Sequence, residues 1–289
     1  MPSRPACVAI LLLWVYAAGG LLRRDVLPDY WRTPPPDLRS IAKAEEDSQP
    51  TRWELSVAED SGYRSLRSVG SAVTESRRMA DGGTELISRV KFDSGGLLKG
   101  TPFAPKLDGP RQDEHLEVAT TCEIDPSGNL RRFLSRVRAA GEPEPLMTLD
   151  GHVQGKAIEV RARGPLPILN WTRSFPYEPR GLIQNAMGPL DRLPGLQVGQ
   201  RWDTRVVSPL TGRVEVVKVE VVGKRTIQWD NNVVTTLEVV QHLAPISART
   251  WVRRDGLVLR QEIPFPFVKL VLERLPGKPE PIKTGGQAP

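Results

Sequence analysis

Cysteine is nearly absent, with only Cys7 and Cys122 in 289 residues, and this excludes a disulfide-stapled scaffold. Histidine is as scarce: His115, His152 and His242 lie far apart, none at metal-ligand spacing. Aromatic residues make up 6%. Only one stretch, Cys7–Leu22, is continuously apolar, which excludes a polytopic membrane protein. There is no GxSxG elbow, no HExxH and no phosphate-cradling glycine loop. The acidic pairs Asp113-Glu114 and Glu142/Glu144 show no sign of the burial that general-acid work requires. No catalytic constellation remains, and the chain reads as a non-enzyme with no metal and no cofactor.

What is present suits a folded β protein. Hydrophobic residues make up 39% and charged residues 26%, ample for a buried core in one large or two small domains. Forty basic against 34 acidic residues give a net charge of +6. That excess is mild, and its densest clusters are the short pairs Arg77-Arg78, Arg131-Arg132 and Arg253-Arg254. Each sits among acidic or apolar neighbours and reads as a solvated strand or turn face, so nucleic acid is not expected as a partner. Anionic lipid headgroups are the better functional alternative. Cys122 lies in the alternating stretch HLEVATTCEID, where a small buried thiol is expected.

The N-terminus carries Arg4, the apolar run and then Ala17-Ala18-Gly19-Gly20, the shape of a secretory signal, with cleavage expected after Gly20. As an unbroken span, Cys7–Leu22 has 16 residues, short of the ~20 needed to cross the hydrocarbon core. A thin signal-anchor holding the protein at the membrane is therefore the alternative. Cys7 precedes the apolar run rather than following it, so the pattern is not a lipobox. The expected organisation is a signal peptide or signal-anchor over 1–24 and a Pro-rich linker over 25–51, which holds Pro34-Pro35-Pro36. An antiparallel β domain follows over 52–275, then a disordered tail over 276–289. The expected location is exported: periplasmic or otherwise extracytoplasmic.

Within the body, strands are expected at Trp53–Val57, Ser65–Ser76, Glu85–Phe92, His115–Ile124, Leu130–Arg138 and His152–Arg161. The second half adds Val214–Val222, ended by Gly223, a restart over Lys224–Trp229, then Val233–Gln241, Ile246–Arg253, Leu257–Ile263 and Phe267–Arg274. Two-residue alternation and β-branched content carry these assignments. Turn chemistry punctuates them at Asp125-Pro126-Ser127-Gly128, Asp230-Asn231-Asn232 and Arg254-Asp255-Gly256. Gly181–Leu193 reads as the one helical segment. Asn170-Trp171-Thr172 fits a glycosylation sequon but reads as strand or loop. Gly100–Arg111 is the best internal break.

From Leu196-Gln197-Val198-Gly199-Gln200-Arg201-Trp202 through Val214–Val222 to Arg249-Thr250-Trp251 and Arg253-Arg254-Asp255-Gly256, the order of features resembles a known module. It is similar to the β-rich N-terminal ancillary domain of bacterial transglutaminase-like exported proteins. It also resembles uncharacterised periplasmic families whose fold is like that of the lipoprotein-localisation carriers. Asp125–Leu134 followed by Val153–Arg161 fits the same order. The resemblance spans about 52–275 and rests on turns and strand signatures. The Cys–His–Asp core that follows in a transglutaminase-like protein has no counterpart here, and Cys122 matches no catalytic cysteine motif. The resemblance implies the accessory module alone, a strongly curved antiparallel sheet or half-barrel able to enclose an apolar groove. Trp202, Trp229 and Trp251 are the candidate groove lining. The function expected is binding of a lipophilic ligand or envelope component. The alternative is a structural module docking onto a partner such as a transglutaminase-like protein.

Overall fold

The computed structural model describes residues 36, 40, 41, 43, 50–58, 66–93, 115–139, 142–165, 167, 170–177, 189–207, 214–243, 246–264 and 269–276. The chain divides into units Met1–Pro34 and Pro35–Pro289, and every described residue belongs to the second. Cys7–Leu22, most of the Pro-rich linker, Gly100–Arg111 and all of the C-terminal tail but Pro276 lie outside the described residues. Among those that are described, no helix is long and apolar enough to cross a membrane.

The described body is a single, strongly curved antiparallel sheet that does not close. Its first eight strands are β1 (Thr51–Ala58), β2 (Leu66–Arg78), β3 (Thr84–Asp93), β4 (His115–Ile124), β5 (Leu130–Ala139), β6 (Met147–Gln154), β7 (Ala157–Arg163) and β8 (Trp171–Pro176). The remaining six are β9 (Arg201–Val207), β10 (Val214–Trp229), β11 (Asn232–Leu243), β12 (Ile246–Arg253), β13 (Val258–Pro264) and β14 (Lys269–Arg274). Their order is β8-β7-β6-β5-β4-β3-β2-β1-β14-β13-β12-β11-β10-β9. Two meanders are thus sewn together where β1 pairs β14, Trp53 opposite Arg274 and Leu55 opposite Leu272. The sheet's two edges, β8 and β9, are consecutive in the chain.

Turn chemistry sets the hairpins. Asp230 and Asn231 take φ of 50° and 57° between β10 and β11, the left-handed pair a two-residue hairpin needs. Asp125 caps its turn by accepting from the Asn129 amide at 2.8 Å, with Gly128 at φ 84°. Asp255 accepts from Arg253 Nε and Nη2 at 2.9 and 2.7 Å and from the Leu257 amide at 3.3 Å. The Arg253 guanidinium beside it, foremost among these, holds the Asp255 carboxyl down at about 2. A carboxyl depressed on folding contributes stability above its unfolded value, near 4, and loses it as the pH falls toward 2. The side chain is half exposed, so solvent screening keeps this contribution below about 1 kcal/mol. In urea titrations from pH 7 to pH 2, Asp255→Asn is expected to be slightly less stable than the parent at neutral pH. The gap should close as the pH falls from about 4 to 2; a gap that stays constant with pH would refute the assignment.

Two expected boundaries are corrected. His152–Arg161 is not one strand: Gly155, at φ 60°, and Lys156 make a tight turn, and Gln154 pairs Ala157, so two strands stand where alternation suggested one. Conversely, Gly223 does not end a strand. β10 runs on to Trp229, with Val222 left over as a bulge between the Val221–Val239 and Gly223–Glu238 pairs. Further bulges interrupt the β1–β2, β4–β5 and β12–β13 ladders. Such bulges bend the bulged strand and increase twist, in keeping with the curvature. The short edge strands β8 and β9 were not expected. Of the helix expected over Gly181–Leu193, residues 181–188 lie outside the described residues, and 189–193 are irregular, not helical.

One face of the sheet, here called the inner face, carries two apolar clusters. The first is built on Trp53, Leu55 and Val57 of β1, Val90 of β3, Val118 of β4, Val217, Val219 and Val221 of β10, Val239, Val252 and Leu272. The second holds Ile124, Leu130, Phe133, Leu149, Ile158, Val160 and Tyr177. Tyr177 ties its end of the sheet by accepting from the Leu130 amide at 2.8 Å.

Candidate ligand-binding face

Inner-face residues follow from register. In antiparallel sheets, directly opposed residues share a face, so a row can be traced from strand to strand. The pairings Thr51–Thr74, Thr74–Ser88, Ser88–Thr120, Thr120–Ser135, Ser135–Leu149, Leu149–Ala162 and Ala162–Trp171 define one row from β1 to β8. Its first five members are all hydroxyl residues, beside a row made of Trp53, Ala72, Val90, Val118 and Val137. Thr120 donates to Ser135 at 3.0 Å, and Thr74 donates to Asp191 at 2.6 Å.

Asp191 comes from the β8–β9 connection, whose described residues 189–200 include leucines that pack on the inner face. Leu190, Leu193 and Leu196 of this strap pack on the first cluster. The Val258 amide donates to the Asp191 carbonyl at 3.0 Å and the Leu193 amide to that of Gly256 at 2.8 Å. The strap thereby places Asp191, 4% exposed, beside Arg274, whose Nη1 donates to its Oδ1 at 3.2 Å. Arg274 Nη2 donates to Thr51 Oγ1 at 2.7 Å, and its guanidinium lies 5.7 Å from the Trp53 ring centre. Trp53 Nε1 in turn donates to Thr74 Oγ1 at 3.2 Å. Burial pushes the Asp191 carboxyl above the usual carboxylate range, against the pull of Thr74, Arg274 and Thr51. A paired, enclosed carboxylate of this kind joins strap to sheet.

Beyond the hydroxyl residues, the inner face of β3–β8 is apolar but incompletely covered. Leu86, Cys122, Met147, Val153, Trp171 and Phe175 pack against the second cluster while remaining partly exposed. Each cluster has a fully buried centre, Ile124 and Val160 in this one and Trp53, Val221, Val239, Val252 and Val258 in the first, all 0% exposed. Gly151 lies flat under Phe133: a Cβ there would come within 2.0 Å of the Phe133 ring.

The three tryptophans singled out from sequence do not share this face. Trp202 pairs Val219 and packs on the first cluster from the inner side. Trp251 pairs Glu238 on the other face, buried, with Arg260 5.6 Å from its ring centre. Trp229, opposite Asn232, also falls on that other face, and its Nε1 donates to the Arg274 carbonyl at 2.8 Å. No single groove is lined by all three; Trp171, which sequence reasoning placed only in strand or loop, is the tryptophan of the open inner face. The histidines are likewise dispersed over β4, β6 and β11, all exposed, with His242 Nδ1 3.0 Å from Ser247 Oγ.

Cys122 sits opposite Phe133 on the inner face, partly buried where a fully buried thiol was expected, and desolvation by its neighbours pushes its thiol up to about 12. At pH 7.5 the folded protein is expected to react with iodoacetamide at Cys122 at least about a hundredfold more slowly than in urea, because only the thiolate attacks. Peptide mass analysis reads this directly, and equal rates would contradict the burial.

No protein-family model matches the chain, and no curated protein matches it. Among solved structures, the chain is similar to a β-barrel-like protein of the domain of unknown function DUF1849 from Brucella abortus. Identity is 11%, 78% of this chain and 94% of that chain are covered, and the TM-score is 0.48. It is also similar to a DUF1089 family protein from Pseudomonas aeruginosa, at 15% identity over 67% of this chain and 89% of that one, with a TM-score of 0.33.

Proposed function

We propose that this protein is an exported, membrane-proximal, non-enzymatic binding domain that holds a lipophilic ligand against the inner face of β3–β8. The observation that carries the reading is the set of partly exposed apolar side chains on the inner face of β3–β8. Leu86, Cys122, Met147, Val153, Trp171 and Phe175 pack against the second cluster without being buried themselves, and leave apolar surface exposed across these strands. An apolar, curved surface with few polar groups is what a lipophilic ligand requires. The signal-like N-terminus and Pro-rich linker read from the sequence support the placement outside the cytoplasm.

The test is native mass spectrometry with lipid extraction, on protein expressed with its own N-terminus, together with titration by the apolar dye N-phenyl-1-naphthylamine. Adduct mass matching a lipid, and dye binding weakened by Val153→Glu, are the expected results. A bare calculated mass with no dye binding would overturn the reading. The same spectrum reports the mature mass: loss of residues 1–20 is the expected mark of cleavage and export.

A further inference from the structure

The polar atoms that lack partners are not scattered through the fold. Four buried side-chain atoms among the described residues have no hydrogen-bond partner: Ser76 Oγ, Ser88 Oγ, Trp171 Nε1 and Arg260 Nε, the last on a side chain that is paired through Nη2 to Glu262. Three of the four belong to the inner face of β2–β8. Ser88 and Trp171 are members of the row traced above, Ser88 among its hydroxyls and Trp171 at its β8 end. Ser76, opposite Leu86, belongs to the adjoining row of that face. Because Thr74 pairs Ser88 and Ser76 pairs Leu86, Ser76 and Ser88 are diagonal neighbours across β2 and β3. Diagonal positions lie ~7–8 Å apart at Cα and closer at Cβ, so one oxygen at ordinary hydrogen-bond distance can reach both hydroxyls.

A buried hydroxyl without a partner costs about 1–3 kcal/mol, and here two stand side by side where the open apolar surface of the second cluster begins. We infer that Ser76 and Ser88 are the seat for the polar head of the ligand, an uncharged amphiphile whose head is a hydroxyl or carbonyl and whose chain lies along the apolar surface toward Trp171. This deepens the proposed function and rests on it. The head is uncharged because the one buried charge adjoining the row, Asp191, is already matched by Arg274. A carboxylate head would sit beside Thr74, which already donates to Asp191, with no cation of its own in the row. Serine hydroxyls both donate and accept, which suits a hydroxyl or ester head. Trp171, whose indole N–H only donates, offers a second point for a carbonyl at the far end.

The experiment compares 1-oleoylglycerol with oleate, both below micellar concentration, by displacement of bound N-phenyl-1-naphthylamine from the full chain. In the parent protein 1-oleoylglycerol is expected to displace the dye at about tenfold lower concentration than oleate. Ser76→Ala and Ser88→Ala should each weaken 1-oleoylglycerol about three- to tenfold, the equivalent of one neutral hydrogen bond. Both should leave affinity for the dye, which has no such head, unchanged. Their unfolding midpoints should stay equal to or above that of the parent, since each variant removes a hydroxyl with nothing to bond. Variants that bind 1-oleoylglycerol like the parent would overturn the head seat while leaving the lipophilic reading in place. Loss of stability with unchanged binding would also overturn it and assign both hydroxyls to a structural water. Absence of dye and lipid binding in the parent would instead remove the functional reading on which the seat rests.

Discussion

Asp191→Ala is expected to lower the unfolding free energy by about 3–5 kcal/mol, because it strands the Arg274 guanidinium in a site it leaves only 15% exposed. The damage spreads beyond one ion pair. Thr74 loses its acceptor, and the strap around Asp191 loses the side chain that fastens it to β1, β2 and β14. The same argument predicts that Asp191→Ala/Arg274→Met recovers a large part of the loss. Removing both charges takes away the need to desolvate either, and a methionine can still pack on the Trp53 ring. A double-mutant cycle by urea denaturation measures the coupling. If the double variant were as unstable as the sum of the two singles, Asp191 would be acting through the strap's backbone alone and not through Arg274.

That network also marks where sequence reasoning ends. Hairpins declared by local chemistry were legible: Asp125-Pro126-Ser127-Gly128, Asp230-Asn231 and Asp255-Gly256 each announce a turn through residues that tolerate or cap it. The antiparallel all-β architecture followed from the run of short strands and turns, while its strong curvature was expected only from the resemblance. The Gly155-Lys156 turn was not legible, because a single glycine between two alternating stretches looks like continuation. Gly223 misled in the opposite sense, since a bulge and a strand end present the same residue to a reader of pattern. β8 and β9 were missed because edge strands have one ladder to satisfy and little apolar alternation to show.

The candidate site was less legible still, for a geometric reason. Thr51, Thr74, Ser88, Thr120 and Ser135 are unremarkable one at a time, and become a row only once the registers of four strand pairs are fixed. Trp202, Trp229 and Trp251 drew notice as large residues, yet a one-residue shift of phase or a bulge is enough to send a side chain to the other face. The bulge at Val222 does this to Trp229. Asp191, Arg274 and Thr74 come from segments separated by 83 and 117 positions, a distance over which no local pattern speaks.

Gly70→Ala is the second large effect, expected to destabilise by about 3 kcal/mol or more. Gly70 sits in β2 opposite Leu55 on one side and Phe92 on the other. A Cβ built there would lie 2.1 Å from the Lys91 carbonyl oxygen and 2.7 Å from the Phe92 Cα. Both are backbone atoms of the neighbouring strand, so no rotamer change relieves the clash; β2 and β3 must separate next to the bulge at Val69. Overpacking that only displaces side chains costs about 1–3 kcal/mol, and here ladder hydrogen bonds are lost as well. Gly223 supplies the control. It too interrupts a β-branched strand beside a bulge, but its Cβ would meet nothing within 4 Å and its φ is not positive. Gly223→Ala is therefore expected to be neutral, or to stabilise by about 0.4–1 kcal/mol through the reduced freedom of the unfolded chain. Thermal or urea unfolding of the two variants side by side decides the matter: similar losses at both positions would mean that strand propensity, not the approach of β3, governs glycine in this sheet.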